Sequence, residues 1–245
     1  MAYLELSGVR TYFDDVGDGQ SIVLLHGWGQ SAEMWSNIKD TLALYSRVII
    51  PDLPGFGKSG TPLDDWGIKE YSLWLQSFLK ALGIQNPNIM GHSFGGVIGL
   101  SYSNLEQVDT LFLYSSAPCV VRRSIFTILN IVIIKTVQHI FPTFLYYAQC
   151  RFLHPQNYTN FVECSRVRAM RMLTIYTKKN ADIKGPFQTK KILTISGTKD
   201  WIVSEKRCKE SANELGAKRY VITGAGHFAH ITHRAEFLSL IGINE

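Results

Sequence analysis

One serine stands among glycines in the stretch "NPNIMGHSFGGVIGL", residues 86–100. Gly91, Ser93 and Gly95 fit the pattern G-x-S-x-G, in which a strand turns sharply into a helix and leaves the serine exposed at the carboxyl edge of a sheet. Glycine two residues either side of Ser93 lets strand and helix close up, and it tolerates a strained turn. A serine hydroxyl is a poor nucleophile near neutral pH until a base takes its proton. The reading therefore requires a histidine and a group to orient it.

Seven histidines compete for the role of base. Only His227 follows an expected strand directly in a glycine-containing loop, "VITGAGHFAH" (221–230), which brings it to the same sheet edge as Ser93. His230 and His233 fall at a helix start, where packing or capping is the expected job. His139 and His154 lie in a different part of the chain, and His26 and His92 read as loop-organising side chains that hydrogen-bond backbone. The orienting acid should also end a strand. Asp200 does, in "GTKDWIV" (197–203) after the run 192–195, whereas Tyr114–Pro118 after the preceding strand offers no carboxylate. Buried beside an imidazole, such a carboxylate fixes the tautomer and stabilises the imidazolium formed on attack.

A tetrahedral oxyanion needs donors. The backbone N–H of Phe94, just after the nucleophile, and that of Trp28 in "HGWG" (26–29) are assigned to it. Trp28, Phe94, Trp201 and Phe228 adjoin the proposed catalytic residues and are candidate walls of an acyl pocket, with simple packing as the equal alternative.

These groups need strands to carry them. Ser21–Leu25 and Arg47–Ile50 are short apolar runs ended by turn residues, suited to strands buried on both faces of a parallel sheet. Residues 68–82 place Ile68, Tyr71, Leu75, Phe78 and Leu79 at helical spacing, with Gly83 as C-cap. Ile89–Met90, Thr110–Tyr114, Ile192–Ile195 and Tyr220–Thr223 read as further strands. The alternation predicts an α/β fold, a mostly parallel sheet with helices on both faces.

Alternation stops between about Cys119 and Gly185, which predicts a helical cap (119–185) inserted between two parts of one core, 1–118 and 186–245. Residues 125–134 are apolar at eight of ten positions, but Lys135 ends the run far short of the roughly 20 residues a membrane span needs. Stable membrane insertion is not expected. Residues 119–191 hold 12 Lys and Arg against Glu163 and Asp182, a net +10 within a chain of net +5. Such a block is either a solvated helix face or a surface for an acidic partner. Cys119, Cys150, Cys164 and Cys208 lack metal-ligand or CxxC spacing and read as reduced. The amino terminus lacks a secretory pattern, so a cytoplasmic home is expected. No metal, phosphate-binding or nucleic-acid motif is present, and the chemistry requires no cofactor.

With the pieces placed, the chain resembles the α/β-hydrolase superfamily. "LLHGWG", "DLPGFGKSG", "GHSFGG", "GTKDWIV" and "GAGHFAH" occur in the expected order, and the order Ser, Asp, His is that of the fold. Within it, "LLHGWGQSAEMW", "DLPGFGKS", "SSAPC" and "HITHRAEF" look like the pimeloyl-acyl-carrier-protein methyl ester esterases of biotin synthesis. That resemblance implies hydrolysis of a carrier-bound methyl ester through an acyl-Ser93 intermediate. Carrier proteins are acidic, and Arg122, Arg123, Arg151, Arg166, Arg168 and Arg171 are the candidates for docking one. A general carboxylesterase, thioesterase, lactonase or carbon–carbon bond hydrolase shares the fold, as does a ligand receptor that hydrolyses nothing.

Overall fold

The computed structural model describes residues 2–64, 66–118 and 183–243. Within them lie strands β1 (Ala2–Leu6), β2 (Val9–Val16), β3 (Ser21–Leu25), β4 (Arg47–Pro51), β5 (Asn88–His92), β6 (Val108–Tyr114), β7 (Thr189–Gly197) and β8 (Lys218–Ile222). They form one sheet in the order β1-β2-β4-β3-β5-β6-β7-β8. β1, β2 and β4 pair antiparallel, and every pair from β4 through β3, β5, β6 and β7 to β8 is parallel. The expected mostly parallel α/β sheet is thus present, with an antiparallel edge that its sequence hides better.

Side-chain alternation explains the unbroken apolar runs. β3 sends Val23 and Leu25 to one face and Ile22 and Leu24 to the other, and β5 and β6 divide Ile89, Leu111 and Leu113 from Met90, Phe112 and Tyr114. Both faces are covered, so both sets of residues must be apolar. On the first face lie helices α2 (Ile68–Ala81) and α3 (Phe94–Tyr102), which pack Trp74, Phe78, Val97 and Ile98 into the core. On the second lie a 3-10 turn (Ala32–Trp35), α1 (Ser36–Ala43) and α6 (Arg234–Leu240), contributing Trp35, Ile38, Leu42 and Phe237. Helix α4 (Glu205–Leu215) joins β7 to β8, and α5 (Ala229–Thr232) precedes α6.

β6 and β7 pair from Val108↔Thr189 to Tyr114↔Ile195, so the two ends of the core flanking residues 119–182 share one sheet. The cap read over 119–185, its apolar run 125–134 and all six candidate docking arginines lie outside the described residues, except that 183–185 are described and carry no helix or strand. Among the described residues, no helix is long and apolar enough to cross a membrane.

Candidate active site

Parallel register brings the three proposed catalytic residues to one edge. His92 at the end of β5 pairs with Tyr114, Tyr114 with Ile195, and Ile195 with Tyr220, so the loops after β5, β7 and β8 leave the sheet side by side. Those loops carry Ser93, Asp200 and His227.

Ser93 sits between β5 and α3 at φ 50° and ψ −108°, in backbone territory that L-residues seldom adopt. Such a conformation costs of order 1–3 kcal/mol and persists only where the surroundings enforce it. They do: the Ser93 N–H donates to the Tyr114 carbonyl at 2.8 Å, and its carbonyl accepts the Ser116 hydroxyl at 2.7 Å and the Gly96 N–H at 3.1 Å. Strand and helix approach so closely that a Cβ on Gly91 would stand 2.4 Å from the Gly95 carbonyl. The glycines of the motif are thus required by contact.

Asp200 and His227 are brought together. His227 Nδ1 lies 2.7 Å from Asp200 Oδ2, and both residues are buried. The second oxygen, Oδ1, accepts the N–H groups of Ile202 and Val203 at 2.9 Å each. A carboxylate only accepts, so Nδ1 carries the imidazole proton and Nε2 is left as the basic nitrogen. The carboxylate's own bonds hold it in place while it holds the ring.

Phe94 opens α3, and its ring meets that of Trp28 edge to face at 5.3 Å, with Phe56 5.2 Å from Trp28 and Tyr71 5.3 Å from Phe94. Two candidate pocket walls are therefore neighbours within a larger aromatic cluster. Phe228 packs against the His92 and His227 rings at 5.1 and 5.2 Å. Trp201 differs, being 74% exposed beside Asp200.

The remaining described histidines hydrogen-bond backbone groups or neighbouring hydroxyls. His26 donates from Nδ1 to the Gly27 carbonyl at 2.8 Å and accepts the Leu53 N–H on Nε2 at 2.9 Å; burial pushes its pKa down to about 4. His92 Nε2 lies 2.9 Å from the His227 carbonyl oxygen. Buried His230 joins the Tyr114 hydroxyl to Nδ1 at 3.0 Å and the Met34 carbonyl to Nε2 at 2.9 Å. His233 Nδ1 lies 2.8 Å from the Thr232 hydroxyl. His139 and His154 lie outside the described residues.

Two supporting residues escape a reading by residue type. Ser116, which seats the Ser93 carbonyl, is passed over when Tyr114–Pro118 is searched for a carboxylate. Asp52, in "DLPGFGKSG", is buried, and its oxygens accept the Ala32 and Lys58 N–H groups at 2.6 and 2.7 Å. Burial outweighs those bonds and raises its pKa to about 6. Its signal is the clustering of an acid with three glycines, Gly55, Gly57 and Gly60, just after β4. Among the described residues, no group of three or more His, Cys, Asp or Glu side chains is arranged to hold a metal ion.

A family model described as the alpha/beta hydrolase fold matches residues 20–148, more than half of the chain. The chain belongs to the alpha/beta hydrolase fold family. Among curated members, a pimeloyl-[acyl-carrier protein] methyl ester esterase of Aeromonas hydrophila is 40% identical over 110 residues, covering 44% of this chain and 42% of that protein. A 2-hydroxy-6-oxo-6-(2'-aminophenyl)hexa-2,4-dienoic acid hydrolase of Metapseudomonas resinovorans is 37% identical over 125 residues, 49% of this chain and 43% of that protein. These matches thus span less than half the length of either relative. The solved esterase of Exiguobacterium antarcticum superposes with a TM-score of 0.83 at 21% identity, covering 98% of this alpha/beta hydrolase chain and 97% of the other.

Proposed function

We propose that this chain is a serine carboxylesterase that hydrolyses the methyl ester of a pimeloyl chain held on an acyl carrier protein. One observation carries the catalytic half of that reading: the 2.7 Å contact of His227 Nδ1 with Asp200 Oδ2, at the sheet edge where Ser93 is held in a strained turn. The substrate half draws on the 40% identity to the Aeromonas esterase.

In this reading Ser93 Oγ attacks the ester carbonyl while His227 Nε2 takes its proton. The carbonyl oxygen becomes an oxyanion that accepts the backbone N–H groups of Trp28 and Phe94. One such donor is worth about 2.7–4 kcal/mol of transition-state stabilisation in other enzymes. Asp200 stabilises the imidazolium, which then protonates the departing methoxide to methanol. Water, activated by the same Nε2, cleaves the acyl-Ser93 ester, and the free carboxylic acid leaves with Ser93 restored. Trp28, Phe94, Trp201 and Phe228 would flank the acyl chain.

The net +10 of residues 119–191 suits an acidic carrier, since complementary charge steers encounter and fixes orientation. Arg122, Arg123, Arg151, Arg166, Arg168 and Arg171 are the proposed docking residues. A second reading, hydrolysis of a carbon–carbon bond in a 2-hydroxy-6-oxo-dienoic acid, draws on the 37% identity to the Metapseudomonas enzyme.

Incubating the chain separately with pimeloyl-carrier methyl ester, a short p-nitrophenyl ester and such a dienoic acid separates the readings. The expected result is free carboxylic acid from the carrier ester, with reversal of the six arginine charges raising KM for that substrate alone. Cleavage of the dienoic acid with no action on the carrier ester would reject the esterase reading, and equal effects of charge reversal on both esters would reject carrier docking.

A further inference from the structure

His92 touches the loop of the proposed nucleophile, the loop of the proposed base and the loop after β3 that carries Gly27. It is peptide-bonded to Ser93, and the residue is 1% exposed. Its Nε2 lies 2.9 Å from the His227 carbonyl oxygen. A carbonyl oxygen only accepts, so this nitrogen carries a proton and donates it. The two imidazole centroids are 4.5 Å apart. On the other side a Cβ at Gly27 would stand 2.7 Å from His92 Nδ1 and 3.5 Å from Ser93 Cβ. The ring therefore fills a space that the "HGWG" loop leaves only because residue 27 is glycine.

Asp200 holds the His227 ring by its Nδ1, which fixes the ring's orientation. The height of the His227 backbone relative to the nucleophile is a separate coordinate, because Ser93 and His227 leave the sheet on strands separated by β6 and β7. The His92 bond spans that separation directly, from the residue before the nucleophile to the carbonyl of the base. We propose that His92 is a positioning residue, setting the distance between Ser93 and His227 through its Nε2–H bond to the His227 carbonyl. This rests on the reading of Ser93 as nucleophile and His227 as base.

The test compares His92→Phe, which keeps a ring but loses the donor, with His92→Gln, whose amide N–H can reach the same carbonyl. Turnover of a p-nitrophenyl ester is normalised to active sites titrated with a phosphonate, so that misfolded protein is not counted. Displacing a base by a fraction of an ångström to about 1 Å lowers kcat about 10- to 100-fold. That loss is expected for His92→Phe, with KM changed less than about twofold, and His92→Gln should recover most of it. His92→Asn, whose amide is too short to reach, replaces the phenylalanine variant if that one does not fold. Unchanged kcat per titrated site in the donorless variant, or equal loss in His92→Gln, overturns the proposal. Ser93→Ala run alongside keeps the two claims apart: if it retains turnover, the nucleophile reading fails, and if it is inactive while His92→Phe is unimpaired, only the positioning role fails.

Discussion

At the scale of single residues, the site sets polar groups in a buried edge and ties the proposed nucleophile and acid to the backbone: Ser93 through Tyr114 and Ser116, Asp200 through the N–H groups of Ile202 and Val203. Ser93, Asp200 and His227 are legible in the sequence because each follows a strand and each belongs to a residue type that the chemistry demands. Asp52 is not legible in that way, since no chemical step asks for it; its environment gives it meaning. Its carboxyl, with an ordinary value of 3.8, is raised to about 6 by burial, against the lowering effect of the Ala32 and Lys58 N–H groups and of the Lys58 charge, and with a small further rise from Asp14. A raised folded-state pKa means that the folded chain binds this proton more tightly than the unfolded one. Asp52 therefore adds stability that is complete below about pH 4 and lost as pH rises through about 6. The shift corresponds to on the order of 3 kcal/mol. His26, lowered to about 4, acts in the opposite sense, adding stability above its ordinary 6.5 that is lost as pH falls through about 4. Urea unfolding of wild type and Asp52→Asn at pH 4 and pH 7 isolates the carboxyl, because the His26 contribution is common to both. The wild type should gain on the variant at the lower pH. Identical pH slopes would show that the Asp52 carboxyl does not titrate with folding.

At the scale of elements, the parallel strands read clearly because both faces of the sheet are covered and their sequences are continuous apolar runs. β1 and β2 lack that signal. β1, with the sequence AYLEL, alternates half-buried with exposed residues and leaves Tyr3 44% exposed, and β2 interrupts its apolar residues with Arg10, Asp14 and Asp15, so neither strand presents a continuous apolar run. α4 is also faint, burying only Cys208, Ser211 and Ala212 along its length. What no local pattern shows is how closely two loops approach. Gly197 ends β7 where a Cβ would stand 2.2 Å from the Ala225 carbonyl oxygen, and the neighbouring Lys199 N–H donates to that same oxygen at 2.8 Å. This contact draws the Asp200 loop onto the His227 loop. Gly197→Ala must push them apart, costing about 1–3 kcal/mol of stability as overpacking generally does, and it should lower kcat by loosening the Asp200–His227 contact. Denaturant midpoints and ester turnover measured together check this. A variant as stable and as active as wild type would mean the loops have slack.

At the scale of the whole molecule, one sheet unites the segments on either side of residues 119–182 and carries the proposed chemistry at its carboxyl edge, as α/β sheets generally do. The fold class was legible from β/α alternation and motif order, because both are set by short-range patterns. The substrate was less so: the fold is shared by an esterase, an enol-lactonase and a meta-cleavage product hydrolase, and discrimination lies in pocket shape and partner charge. The claim beneath every such reading is that His227 and Asp200 make Ser93 nucleophilic. Intact-mass analysis after treatment with a p-nitrophenyl phosphonate, followed by peptide mapping, tests it most directly. A single phosphonyl adduct on Ser93 is predicted, absent in Ser93→Ala and formed far more slowly in His227→Ala. An adduct on another residue, or undiminished labelling of Ser93→Ala, would contradict it.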